Sequence, residues 1–572
     1  MKNLIKKNNF YLILLIFLFQ ILTDTSHASK KEYSKYIISN YFSGIISLNY
    51  DDENKAFEHL NKVQYLKDRH ENYNIQFIHT LVLLEKFDKA FKFSKSIWNK
   101  NELFFELDLL LGLEAFINKD YATAENHFER LSDASNYDIF FENFLGDFLL
   151  SWVAAARQNK DISFAYVNKN SNRYKSLKQI QNVFLQCYFN EASTRKTFES
   201  LINNEEYTFS RYNFFLINYL FRNGKEKEAK KIVDISRRKY NSNLLLKQSE
   251  DFILNGNSKK ILDFFNCENP KDSIAELLYI IANLYSSEKE YQLSNFYLKI
   301  SLFLNEKFET NLALLAENFY YQKKYELSEK LYKIIKKIGP VYSWHASKSI
   351  ATILSNTKNK KKSIESLEKD FKSLSKSSFE HYYELANFYK ENEYYDESIK
   401  YYSKALKNIE QNDNLIPKIL DRRGTSYERS GQWEKAEKDL LKSLAILPDQ
   451  PHVLNYLAYS WIEKGINVTE ALEMLEKATA LRENDGYIID SLGWAHYINK
   501  NYIEAEKFLK KAVQLMPLDP VINDHYADSL WMLNKNIQAR HTWNHVLNLE
   551  STEKELKDKI SMKLIFGVSE KL

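Results

Sequence analysis

Small residues return along this chain at an interval of about thirty-four positions, and no other feature of the sequence restricts the fold as strongly. Between Ile489 and Pro517 they stand at Gly493, Ala505 and Ala512, with large and aromatic side chains between them and Pro517 at the end. Two short antiparallel helices need small side chains where their backbones approach and large ones where they interlock, and a proline stops the second helix. The same offsets recur at Ala527 and Ala539, and upstream at Ala458 and Ala471 with one extra residue in the turn. They continue at Gly424 and Ala436, at Ala386 and Ala405, and at Ala316 and Ala282. Gly112 and Ala124 carry them in the N-terminal third, together with Ala56 and Ala90. A lone helical hairpin cannot bury its apolar face, so recurrence at this period predicts hairpins stacked on copies of themselves.

The pattern fades between about Asp161 and Asn269, where Gly224 and Ala229 are its clearest survivors. Roughly fifteen hairpins are expected in all, the middle ones degenerate. Only 12 Gly and 7 Pro in 572 residues leave little turn chemistry for an all-β or doubly wound fold. The fold class predicted is all-α.

These residues resemble the tetratricopeptide repeat family, most specifically over Ala386 to Leu549. The resemblance implies a right-handed α-solenoid of helix pairs whose concave face is lined by the first helix of each pair. It also implies binding of peptides or partner proteins without catalysis. Departures are His496, where an aromatic is usual, and Ser294, Ser328 and Ser398 in place of the second-helix alanine. The runs NYLAYSWIEKG, DGYIIDSLGWAHY and DPVINDHYADSLWMLNKNIQARHTW are similar to bacterial envelope repeat proteins, including outer-membrane adaptors that present substrates to a processing protease. Such adaptors are usually lipidated, whereas this sequence has no cysteine near its N-terminus. The segments expected are 1–28 as a signal peptide, 29–160 as a first array, 161–270 as degenerate helical repeats, 271–385 as a central array, 386–550 as the well-formed C-terminal array and 551–572 as a helical tail.

The signal peptide is read from Lys2, Lys6 and Lys7 ahead of the apolar run Phe10 to Leu22, then a polar stretch in which Ser26 and Ala28 suit cleavage after Ala28. Export to the periplasm or envelope of a bacterium is therefore expected, with membrane association if the leader is retained. Losing three Lys and one Asp takes the formal charge from +4 to +2, which gives no bulk electrostatic reason for nucleic acid or anionic lipid to bind. No later segment is apolar for long enough to span a bilayer.

Residues of the first helices turned away from the small contact recur at spacings of three and four and point into the groove. In the last repeats these are His452, Asn455 and Tyr459, then Tyr487, Asp490 and Trp494, then Asp524, Asp528 and Trp531. An aromatic, acidic groove would suit a positively charged or amide-rich extended segment, although aromatic stripes also fill seams between repeats. An envelope protease or assembly factor is the kind of partner the resemblance implies.

Chemistry beyond binding is thin. His541 and His545 share one helix face, but the glutamate of a zinc-protease motif is missing, and a solvated or packing pair is the better reading. Asp519, Asp524 and Asp528 could hold a cation, but Asp519 suits a helix cap ahead of Pro520. The basic run Lys358 to Ser363 reads as a solvated hairpin turn. No catalytic residue, metal or cofactor is expected. The alternatives are a metal-dependent or other enzyme with a separate domain in 161–270, or a structural arm of an envelope assembly. Cys187 and Cys267 lie 80 residues apart, more than two repeats, and a repeat touches only its neighbours, so two separate buried thiols are expected rather than a disulfide.

Overall fold

The computed structural model describes residues 33–568 apart from 51, 101, 134–143, 205–208, 241, 358 and 412, so the leader expected at 1–28 lies outside the described residues. Among the described residues the chain is helical throughout, without a strand. No helix among them is long and apolar enough to cross a membrane.

The pair Gly486–Ile498 and Tyr502–Leu515 shows how each hairpin is made. Asp485 caps the first helix, its carboxylate accepting from the backbone N–H groups of Tyr487 and Ile488. Gly493 lies so close to the second helix that a Cβ there would sit 2.7 Å from Leu509 Cγ and 3.0 Å from the Leu509 backbone nitrogen. Ala505, Leu509 and Ala512 are fully buried on the facing side. Lys500 then takes a left-handed conformation, φ 61°, and the N–H of Asn501 closes back on the His496 carbonyl at 2.8 Å, which ends the first helix and turns the chain.

This left-handed turn recurs at Glu85, Lys119, Lys289, Lys323 and Asn534, and it passes through the weakly patterned middle at Gln158, Asn190, Gly224 and Gly256. The stretch 161–270 is thus made of the same helix–turn–helix units as its flanks. The three serines that replace the second-helix alanine are buried, and two add a bond across the hairpin: Ser294 donates to the Ala282 carbonyl at 2.7 Å and Ser328 to that of Ala316 at 2.8 Å, while Ser398 donates to Tyr395 on its own helix. The basic run differs from its expected turn. From Lys360 it forms the start of the helix Lys360–Lys372, because the Asn359 side chain accepts from the N–H groups of Lys361 and Lys362.

The described chain falls into two compact units, 1–353 and 354–572. In the first, the array curls until distant repeats meet. The helix Tyr291–Leu304 packs on Glu71–Leu83, with His79 stacked on Phe296 at 4.3 Å and Phe87 on Phe303 at 4.0 Å. Lys299 pairs with Glu85, Lys324 with Glu53, and Gln292 donates to the Leu48 carbonyl at 3.3 Å. One continuous core results, from Leu48 to Ile353.

That curling corrects the expectation of separate thiols: Cys187 and Cys267 form a disulfide, with their α-carbons 5.9 Å apart. The short helix Lys259–Phe264 and the segment after it fold back, held by Asn218 donating to the carbonyls of Ile261 and Phe265. Phe265 thereby packs on Phe184, one turn before Cys187. Sequence distance is not spatial distance once the array bends through non-neighbouring contacts.

The second unit keeps the nearest-neighbour arrangement. The pairs run Phe379–Glu391 with Tyr395–Asn408, Ile416–Arg429 with Trp433–Ile446, Pro451–Lys464 with Val468–Leu481, Gly486–Ile498 with Tyr502–Leu515, and Pro520–Met532 with Asn536–Asn548. A last helix, Lys554–Phe566, begins thirty-four residues after Pro520 and stacks where the next first helix would lie. Its core is a series of smaller clusters.

Gly493→Ala should destabilise the protein by about 1 to 2 kcal/mol, since the clash with Leu509 outweighs the helix propensity that alanine gains. At Gly424 a Cβ meets Leu440 at 3.0 Å and no backbone atom closer than 3.2 Å, so Gly424→Ala should be near neutral in the same urea titration. A denatured, unreduced sample should show no reactive thiol, and reduction should cost the first unit up to about 4 kcal/mol for a loop closed across 80 residues.

Candidate functional site

The nine groove residues expected from the sequence lie on three successive first helices of the second unit, which contact one another directly. Their surroundings differ. His452 and Tyr487 are exposed, Tyr487 by 55%. Asn455, Tyr459, Trp494 and Trp531 are half-buried, and Asp490, Asp524 and Asp528 are buried.

Each buried acid has an internal partner. Both oxygens of Asp490 lie 3.1 Å from Nδ1 of His525 on the next first helix. Burial pulls the His525 imidazole down, but the carboxylates of Asp490, Asp524 and Asp528 more than offset it, and the ring stays above its ordinary value. Lys563, from the last helix, places Nζ 2.9 and 2.8 Å from the oxygens of Asp524 and 2.7 Å from Asp528. Asp528 also accepts from Trp543 Nε1 at 3.2 Å. Burial and the neighbouring Asp524 push the Asp528 carboxyl up to about 6 in spite of Lys563. The face is thus less acidic than its composition suggests, because its carboxylates are engaged within the protein.

The aromatics are held by similar bonds. Trp494 lies against Tyr497 at 4.7 Å and His525 at 4.0 Å, and its Nε1 donates to Glu463 at 2.7 Å. Trp531 packs on Trp543, and a Cβ at Gly567 would sit 2.1 Å from its ring. Trp494 therefore keeps an open edge, while Trp531 is a joint between the last pair and the terminal helix. Tyr459 is raised by burial, and Tyr487 by the charge of Asp519. Asn455 Oδ1 is buried, and among the described residues nothing donates to it.

The inner face continues two repeats further towards the N-terminus than the sequence reading placed it. Tyr383 and Asn387 stand at the same offsets from Ala386, and Asp421 from Gly424, as Asp490 and Trp494 do from Gly493, and Lys390 lies three residues beyond Asn387. Asn387 accepts from Tyr402 at 2.7 Å and from Arg422 at 2.9 Å. Burial lowers the Lys390 ammonium and raises the Asp421 carboxyl, each tempered by the other's charge. The signal that would have found them is the register itself.

Asp519 caps the helix Pro520–Met532, accepting from Val521 N at 3.0 Å and Ile522 N at 3.1 Å. His541 and His545 are exposed, and among the described residues no group of three metal-binding side chains converges.

Two expectations test the terminal joint. Asp528 and His525 both hold their protons more tightly when folded, so each stabilises most below its unfolded pKa and loses that contribution as pH rises through the folded value. Melting temperature should therefore fall as pH rises from 3.8 to about 6 for Asp528, and further above 6.5 for His525. Asp528→Asn should flatten the lower part of that slope in scanning calorimetry. Lys563→Met, which strands two buried acids, should cost about 3 to 5 kcal/mol.

Known proteins bear on this geometry. The tetratricopeptide repeat family matches residues 380–412 and 487–516. A tetratricopeptide-repeat-containing protein of Pseudomonas aeruginosa is 33% identical over 99 residues, a match that spans 17% of this chain and 17% of that relative. Similar solved structures include yeast Tom70, 15% identical with a TM-score of 0.35 over 80% of this chain and 94% of that one. They also include the Cut9–Hcn1 hetero-tetramer of the APC/C, 14% identical with a TM-score of 0.34 over 92% and 96%. With the small-residue contact and the left-handed turn repeated from pair to pair, the matched segments show that this chain carries tetratricopeptide repeats.

Proposed function

We propose that this protein is an exported, non-catalytic scaffold or adaptor that holds a protein or peptide partner along the inner face of its C-terminal repeats. The observation that carries the reading is the set of unspent groups on successive first helices. Tyr487 is exposed, and Tyr459 and Trp494 are partly open. Large aromatic surface held in place supplies contact area at little entropic cost. Because the acids beside them are already paired, recognition rests on aromatic contact and hydrogen bonding more than on bare negative charge. An extended segment with apolar side chains fits this chemistry, and an envelope protease or assembly factor is the class of partner we favour. Export is supported by the leader pattern and by the Cys187–Cys267 disulfide, which persists in oxidising compartments.

The test is affinity capture from a bacterial envelope extract with the chain beside a Tyr459→Ala, Tyr487→Ala variant. These side chains are not enclosed in the core, so helicity should be unchanged. A specific partner should bind the variant weaker by about thirtyfold, the loss of one interface anchor. Identical partner profiles would reject the groove assignment. Production with the native leader should yield an envelope protein beginning at Ser29, read by N-terminal sequencing, and a cytoplasmic product starting at Met1 would reject export.

A further inference from the structure

The first unit carries a cavity of its own, about 340 Å³, on the inner side of its first helices. It lies among Leu244–Leu254, Pro270–Ser287, Leu312–Tyr321 and the start of Pro340–Thr357. Tyr279 and Asn283 enter it from three residues before and one after Ala282, and Ala313 and Glu317 from the same offsets around Ala316. These are the inner-face positions of the repeat, so the cavity faces any chain that runs along this surface.

Its charges do not balance. Arg211 reaches the edge of the cavity but is already neutralised: Nε and Nη2 each lie 2.8 Å from an oxygen of buried Glu276, and Nη2 donates to Asn311 at 2.9 Å. Its guanidinium carbon sits 3.9 Å from the centre of the Tyr279 ring. Glu317 has no such partner. It is half-buried, and among the described residues no hydrogen bond or ion pair reaches it. Burial pushes its carboxyl upward, and no neighbouring cation pulls it back. A carboxylate taken partly out of water and left unpaired is costly, and an incoming cation relieves that cost.

We infer that this cavity takes a lysine or arginine side chain of an extended polypeptide, its cationic head against Glu317 and its stem along Leu314 and the Tyr279 and Tyr342 rings. A pocket of this size holds one long side chain, and an apolar body with a charged tip matches a lining in which Leu314 and two tyrosine rings stand beside polar groups and a single acid. The site is separate from the C-terminal face, so it stands or falls independently of Tyr459 and Tyr487.

The experiment measures binding to the full chain by saturation-transfer NMR, using N-acetyl-arginine methylamide, N-acetyl-lysine methylamide, the citrulline analogue and N-acetyl-aspartate methylamide. The arginine and lysine probes should bind and the citrulline probe should not. Glu317→Gln, which keeps shape and removes charge, should weaken the cationic probes by about tenfold or more, the loss of a charge-assisted hydrogen bond. The Tyr459→Ala, Tyr487→Ala variant should bind them as the parent does. A pentapeptide with one central arginine should bind more tightly than agmatine, and the reverse order would overturn the polypeptide occupant. Equal binding by Glu317→Gln, equal binding of citrulline, preference for the aspartate probe, or no binding by any probe would overturn the inference.

Discussion

The close approach of each first helix to the second, made possible by one tiny side chain, is the contact on which the rest depends. At Gly493 the neighbouring backbone is near enough that even a methyl group would collide, and Leu509 fills the space from the other side. That depth fixes how the two helices cross. Because the next pair stacks on the same surfaces, it also fixes where the following first helix lies. The inner-face residues then fall into line without any interaction selected for that purpose. Trp494 meets His525, and Asp490 meets His525, because Gly493 and Ala527 set their helices at the same depth.

The two units treat that rule differently. In the second, contacts run from one pair to the next, so stability is close to a sum of local terms. In the first, the small rotation of each pair accumulates until Tyr291–Leu304 returns to Glu71–Leu83, and the ends of the curl are tied by Lys324 with Glu53 and by Lys299 with Glu85. Such contacts join residues more than 200 positions apart, which raises the entropy to be overcome before they form. The first unit should accordingly behave as one cooperative body, in line with its single continuous core.

This difference explains what could be read from the sequence. The hairpins were legible because a Gly or Ala at a fixed interval is a local demand, and the serines at 294 and 328 met it as well as alanine does. The middle stretch was hard to read because few of its helix contacts carry the Gly or Ala that marks the flanks, although it makes the same left-handed turns, at Gln158, Asn190, Gly224 and Gly256. The pairing of Cys187 with Cys267 was not legible at all, since it depends on the summed curvature of the array. At the inner face, residue positions were legible and their state was not. Asp524 and Asp528 looked like free acids only because their cation, Lys563, comes from a helix beyond the last recognisable pair.

Both units spend most of their inner-face charge internally. Arg211 is chelated by Glu276 and Asn311, Asp490 is met by His525, and Lys563 sits between two acids. Each paired charge rigidifies the wall but offers a ligand little, because breaking the pair would strand a buried ion. What remains is Glu317 in one unit and aromatic rings with an open edge in the other. Recognition by difference favours such groups. A partner that supplies the missing cation gains what water cannot give inside a half-closed wall, while a partner lacking it leaves the desolvation cost in place. Selectivity in a repeat array can therefore rest on a few unsatisfied atoms, even though the surface that presents them is built from copies of one motif.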